Sequence, residues 1–366
     1  MNNADSPRPT SRRRFLVDAL ETSAAAAALV ACNQGQGGTA DRTDTVRTAS
    51  PALRHGKQNP DSREDTSLHH SMPASSQTPA MASAANIAFH TYDASLPPVA
   101  ARRTTQLHFT TKEVPVRIRE DTVVAAWTFD GDVPGPIVHV QQGDTVEFTL
   151  TNEGQIAHSM DFHAARLDPK VAFRSVMPGQ SLSYTFRPKY AGAFLYHCGT
   201  APVLMHLGSG MFGAIIVDPP RPLAPAKEFV LVQNEFYLGQ PQSGITPFNY
   251  NAMLATLPDL FAFNGRPDQY QAAPLRVKRG ELTRFYVVNA GPTHPCAFHI
   301  VGQQFEAVYL GAPPGNAIRG VQTFEVAAGG GMIFEMLADV PGEFVFVNHA
   351  FGHGQKGAIG ILVVEE

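Results

Sequence analysis

From Gln106 onward the chain alternates apolar and polar residues in short runs broken by glycine and proline. Val146, Phe148 and Leu150 set against Glu147, Thr149 and Thr151 show the period of two that belongs to a half-buried β-strand. Val133-Pro134-Gly135-Pro136 reads as a turn, and Gln142-Gly143-Asp144 opens the next strand. Many short strands with such punctuation predict sheets packed face to face. One stretch, around Tyr250 to Pro258, is the only one that reads as helical.

The pattern occurs twice. Phe129-Asp130-Gly131, Gly143-Asp144 and Thr151-Asn152 recur as Phe263-Asn264-Gly265, Gly280-Glu281 and Val288-Asn289. Gly213-Ala214-Ile215 returns as Gly357-Ala358-Ile359. Two tandem copies of one Greek-key β-sandwich follow from this, an all-β fold, with the boundary at Pro219-Pro220. The expected domains are residues 88–220 and 221–366.

Composition agrees: 16% of residues are charged, with 31 glycines and 29 prolines, which favours strands and turns over long helices. A net charge of −4 gives nucleic acid no purchase. Ahead of the repeat, residues 33–87 are polar and lack apolar periodicity, the signature of a disordered tether. Residues 1–32 resemble an export signal of the twin-arginine type, with Ser11-Arg12-Arg13-Arg14-Phe15-Leu16 before an alanine-rich run. Leu29-Val30-Ala31-Cys32 then resembles a bacterial lipobox, which implies lipidation at Cys32 and attachment to a membrane through that lipid alone. The expected location is periplasmic or at the cell surface.

Of three cysteines, Cys198 carries the chemistry. Cys198, His206 and Met211, joined by His158 upstream, supply a thiolate, two imidazoles and a thioether, the ligand set of a blue-copper electron-transfer centre. Neighbours on a strand face opposite ways, so Cys198 turned inward sends His197 outward. His163 and His197 then form two ligands of a second metal, and His349, just past a strand in the second copy, is the best third. Three imidazoles leave a coordination position open for substrate. Asp161 and His299 are placed to move protons there. The copies differ at the metal: alignment on Gly192 and Gly342 sets Cys198 against Asn348, and alignment on Gly-Ala-Ile sets Met211 against Gln355. Cys296 reads as a buried free thiol, and His294 and His353 receive no role.

These residues together identify a resemblance. His158-Ser159-Met160-Asp161-Phe162-His163, Tyr196-His197-Cys198-Gly199-Thr200-Ala201-Pro202, Met205-His206, Gly210-Met211, Phe298-His299-Ile300-Val301-Gly302 and His349 with Gln355-Lys356-Gly357-Ala358 resemble the copper-containing nitrite reductases, two-domain cupredoxin enzymes. The resemblance implies two coppers per chain, type 1 on His158, Cys198, His206 and Met211, and type 2 on His163, His197 and His349. It implies Asp161 and His299 as the acid-base pair, Val301 crowding the nitrite, and a small cupredoxin or c-type cytochrome as electron donor. It further implies a homotrimer in which a neighbouring copy supplies His349. The loop of seven residues between Cys198 and His206 is one shorter than in many members. Two other readings remain: a two-domain multicopper oxidase-like enzyme acting on oxygen or another small molecule, and a non-enzymatic copper electron carrier.

Overall fold

A computed structural model describes residues 84–99 and 103–366. The export segment, Cys32 and the linker through residue 83 lie outside the described residues.

The first copy of the repeat consists of β1 (Thr104–Arg119), β2 (Thr122–Phe129), β3 (Val138–Gln141), β4 (Thr145–Asn152), β5 (Asp161–Phe162), β6 (Ser181–Phe186), β7 (Gly192–His197) and β8 (Phe212–Asp218). One sheet has the order β2-β1-β4-β6 and the other β3-β8-β7-β5. The alternation in β4 does what its pattern predicts: Val146, Phe148 and Leu150 point into the sandwich, against Phe109, Phe162 and Tyr196. The second copy has a six-stranded sheet containing Lys227–Phe236 and Leu282–Gly291, and a five-stranded sheet containing Gly342–Asn348 and Ile359–Glu365.

The repeat extends to backbone torsions. Asp130 and Asn264 both adopt left-handed geometry, at φ 56° and 55°, and each precedes a glycine with positive φ, Gly131 or Gly265. Asp and Asn tolerate that region better than other residues with side chains, which explains the recurring Phe-Asp/Asn-Gly.

Two readings are corrected. The second-copy counterpart of Met211 is Ala358, not Gln355. Cys198 N–H donates to Met211 O at 3.1 Å, and Asn348 N–H donates to Ala358 O at 3.0 Å. Tyr196 pairs with Gly213 as Phe346 pairs with Gly360, and a side chain at either glycine would collide with the facing ring. The two Gly-Ala-Ile triplets are therefore three residues out of structural register, because the second copy has the shorter loop. Secondly, the helix near Tyr250 exists, as Tyr250–Leu254, but among the described residues four more short α-helices accompany it: Pro169–Ala172, Val203–Gly208, Gln269–Ala272 and Phe351–Gln355. Each is too short for an apolar stripe to repeat along it.

Between the two sandwiches an apolar seam draws on both, with Val116, Ile118, Ala193 and Leu195 against Val230, Val232, Tyr286 and Ile333. Fully buried Arg266 crosses from the second copy to Asp132 (2.7 Å) and the Val133 carbonyl (2.5 Å). This seam fixes where second-domain groups fall relative to first-domain ligands.

Candidate metal centres

The buried cluster forms where β7 ends. Cys198 follows directly after His197, and its N–H donates to the carbonyl of Met211, the residue just before β8. The intervening chain turns through the helix Val203–Gly208, which brings His206 back toward Cys198. His158 comes from the β4–β5 connection, pinned by reciprocal backbone bonds with Val176 at 3.1 and 2.7 Å. All four side chains are buried. His206 Nδ1 lies 3.3 Å from Cys198 Sγ and 3.2 Å from His158 Nδ1.

The surroundings prepare the thiolate. Ser159 N–H donates to Cys198 Sγ at 3.3 Å, and Ser159 Oγ accepts from Gly199 N–H at 2.9 Å. Burial opposes ionisation of the thiol, but hydrogen bonds from His158 and His206, the His206 charge and the Ser159 N–H together hold its pKa well below the usual range. At His158, Nε2 faces a Glu113 carboxylate oxygen at 2.8 Å, so the Nδ1 proton that serves the thiolate without metal is the one a metal ion would displace, leaving an Nδ1 lone pair turned toward His206 and the cluster. A thiolate and two imidazole nitrogens at these separations suit bonds of about 2 Å to one ion. The residues present therefore fit a copper ion, with Met211 as a soft fourth donor.

A second cluster lies on the opposite face of β7. Asp161 on β5 is paired with His197, and His163 N–H is bonded to the Leu195 carbonyl. Asp161, His163 and His197 bring one ligand atom each within 4.8 Å of the others. The tautomers follow from their partners, since a carbonyl only accepts. His197 Nδ1 donates to Cys198 O at 2.9 Å, and His163 Nδ1 donates to Gly329 O at 3.0 Å. Both imidazoles therefore present Nε2 lone pairs, and these face each other 3.1 Å apart. Two lone pairs at that distance repel unless a cation or proton lies between them, so this donor set also fits a metal. Partial desolvation, then the neighbouring His197, lower the His163 pKa and favour the neutral form that binds metal.

His349 does not join this group within one chain; among the described residues the cluster contains Asp161, His163 and His197. Instead it is exposed directly after the strand Gly342–Asn348, its ring centroid 5.1 Å from that of His299 at 79°. His299 Nδ1 donates to Gln322 O at 2.6 Å, which leaves Nε2 free. Val301, two residues after His299 and 39% exposed, directly follows the strand Cys296–Ile300. The predicted site residues thus form three groups: His158, Cys198, His206 and Met211 in the core; Asp161, His163 and His197 on one rim; and His299, Val301 and His349 on the second domain.

Sequence reading missed three features. Glu113 and Trp127, opposite one another on β1 and β2, close the outer side of the buried cluster. The Trp127 ring lies 4.8 Å from His206 and 5.9 Å from His158. In the second domain, His294 and His353 repeat the arrangement of His158 and His206: centroids 5.1 Å apart at 77°, against 5.2 Å at 81°. The Ala358 N–H donates to the His353 carbonyl as the Met211 N–H donates to His206. Asn348 stands where the thiolate would be, its Nδ2 donating to His353 Nδ1 at 3.0 Å. The second domain therefore keeps a copper-centre frame with an amide in place of sulfur. Spacing alone hid this, because the frame shows only when His294 and His353 are superposed on the first-domain pair. Cys296 is fully buried and burial pushes its pKa upward, as a core thiol requires.

Two family models described as multicopper oxidase match this chain, at residues 110–222 and 240–366. A copper-containing nitrite reductase from Neisseria meningitidis serogroup A is 39% identical over 248 residues, 65% of this chain and 64% of that protein. The chain thus spans just under two thirds of that relative's length. The solved copper nitrite reductase from Nitrosomonas europaea is 36% identical, covering 72% of this chain and 94% of its own, with a TM-score of 0.67. A copper-containing nitrite reductase from Thermus scotoductus is 27% identical over 71% of this chain and 62% of its own, with a TM-score of 0.66.

Proposed function

The chain belongs to the copper-containing nitrite reductase family, and on that premise we propose that it reduces nitrite to nitric oxide. One observation carries the reading above the family name. The His197 and His163 Nε2 lone pairs that face each other belong to a strand whose next residue, Cys198, is the thiolate of the buried cluster. An electron-accepting centre and a substrate centre are thereby joined through adjacent residues.

In this reading His158, Cys198, His206 and Met211 hold type 1 copper, and His163, His197 and His349 hold type 2 copper. Bound copper supplies one-electron redox change at the first site and an acidic coordination position for nitrite at the second. The balance is nitrite plus one electron plus two protons to nitric oxide plus water. Asp161, whose carboxylate lies within 4.8 Å of the His163 and His197 ligand atoms, would hold one proton there. His299, anchored through Nδ1 to Gln322 O, offers Nε2 for the second proton. Val301 limits the room beside the substrate. The Cys198–His197 peptide is the shortest covalent path between the sites.

Because His349 stands with His299 rather than with His163, we propose a homotrimer in which the neighbouring copy brings His299, Val301 and His349 to the rim cluster. A small cupredoxin or c-type cytochrome would donate the electron. Export by the twin-arginine route, lipid attachment at Cys32 and a periplasmic or cell-surface location complete the proposal.

Anaerobic turnover of the copper-loaded protein with a reduced dye and nitrite checks it. Nitric oxide formed with two coppers per chain is expected. Oxygen consumption without nitric oxide would overturn the reading in favour of an oxidase, and one copper per chain would favour an electron carrier.

A further inference from the structure

We propose that Glu113 is a positioning residue of the buried centre: its carboxylate fixes the His158 ring, strengthens it as a donor to copper and so holds the reduction potential of that centre down. The inference rests on the copper reading of His158 given above.

Four observations support it. The Glu113 Oε1 to His158 Nε2 distance is 2.8 Å, and His158 is fully buried, so its outer N–H has no solvent alternative. The second carboxylate oxygen accepts the Gln155 N–H at 2.8 Å, which ties Glu113 to the very loop that carries His158. Gly154 makes room for this: a Cβ there would sit 2.6 Å and 2.8 Å from the two carboxylate oxygens. Trp127, opposite Glu113 in the β1–β2 register, packs its ring edgewise to both imidazoles and limits other ring orientations.

The second domain gives a comparison within the same chain. Thr111 pairs with Asn152 as Gln233 pairs with Asn289, which makes Glu235 the counterpart of Glu113. There Glu235 Oε1 accepts the backbone N–H groups of Thr293 and His294, at 3.1 and 2.6 Å, while Oε2 accepts the Tyr237 hydroxyl and stays 3.4 Å from His294 Nδ1. A carboxylate thus stands beside an imidazole in both copies, at 2.8 Å in the copy with the thiolate and at 3.4 Å, with its oxygens committed elsewhere, in the copy without it. The physical reason for a role is general: a negative acceptor on the distal N–H gives the ring imidazolate character, and the extra donation favours Cu(II) over Cu(I).

The experiment is a spectroelectrochemical titration of the thiolate-to-copper band in the copper-loaded full chain, comparing wild type with E113Q. The amide keeps a neutral acceptor and the side-chain shape. The expected result is about a tenfold loss of the Cu(II) over Cu(I) preference, a rise of about 60 mV for one electron. G154A is the second variant, because it expels the carboxylate without removing it, and should shift the potential the same way. An unchanged potential in E113Q overturns the proposal; if E113Q does not fold, an unchanged potential in G154A overturns it. Absence of the band from wild type would fail the copper reading itself, a distinguishable outcome.

Discussion

Asn348→Cys puts the idea of a sulfur-free copper frame at risk. The Asn348 side chain is fully buried and has five polar partners. Its two Nδ2 hydrogens are shared among Gln233 Oε1 (2.7 Å), the Pro295 carbonyl (3.1 Å) and His353 Nδ1 (3.0 Å), and its Oδ1 accepts from the N–H groups of Ala297 (3.2 Å) and Ala350 (3.1 Å). Two donated and two accepted bonds are at stake, and a thiol can replace one of these weakly. Three lost bonds at about 1 kcal/mol each give roughly 3 kcal/mol of destabilisation without metal. For a unit of this size that is about 6–12 °C in Tm. The same change adds a thiolate to two imidazoles, His294 and His353, whose rings are arranged like those of His158 and His206. Copper at about two hundred times its Kd would restore roughly 3 kcal/mol. Calorimetry of metal-free and copper-loaded N348C reads both effects, and optical titration reads a third copper with a second thiolate-to-copper band. A Tm within about 2 °C of wild type without metal, which corresponds to under 1 kcal/mol, would refute the hydrogen-bond reasoning. A large loss of stability with no third copper would refute the frame.

Other outcomes are equally concrete. His299→Ala should keep both coppers and lose most nitric oxide formation; near-normal turnover with nitrite would remove His299 from proton delivery. Ser159→Ala removes the acceptor of the part-buried Gly199 N–H beside Cys198, so about 0.5–1.5 kcal/mol of stability should go, together with a shift of the thiolate-to-copper band; an unmoved band would show that Ser159 does not shape the ligand loop. Cys296→Ala should leave copper at two per chain, measured by metal analysis, and a lower count would make Cys296 a ligand. Burial, then the charges of His294 and Lys356, push the His353 pKa down to about 4. Its folded value thus lies below the ordinary imidazole value of about 6.5. The unfolded chain binds more protons between those limits, so this contribution to stability is complete above about pH 6.5 and is lost as pH falls toward 4. Thermal melts across that window should decline less steeply in His353→Gln, and parallel profiles would argue against the shift.

Much of the site was legible because its chemistry lies in local order. Adjacency of His197 and Cys198, with the alternation of strand faces, was enough to separate a core ligand from a rim ligand. The Asp161 to His163 spacing put both on one rim for the same reason. The all-β repeat was legible from its turn residues, since only a few residue types accept the torsions at Asp130 and Asn264. Residue identity misled where a loop changed length: Gly-Ala-Ile matched in letters, yet Ala358 is the counterpart of Met211, as backbone pairing shows.

By itself, then, the sequence indicated the sandwich pair and the inward-outward split at Cys198 and His197, because each rests on patterns local to strands and turns, and it singled out His158, Cys198 and His206, which the fold brings together. Only the tertiary structure decided that Glu113 meets His158, that Gly329 of the second domain orients His163, and that His294, Asn348 and His353 form a closed frame. It also separated His349 from His163 and His197 within one chain. Apart from Asn348 with His353, those contacts join residues tens of positions or more apart, and they are set by sheet register and by the apolar seam between the sandwiches, which no local pattern encodes.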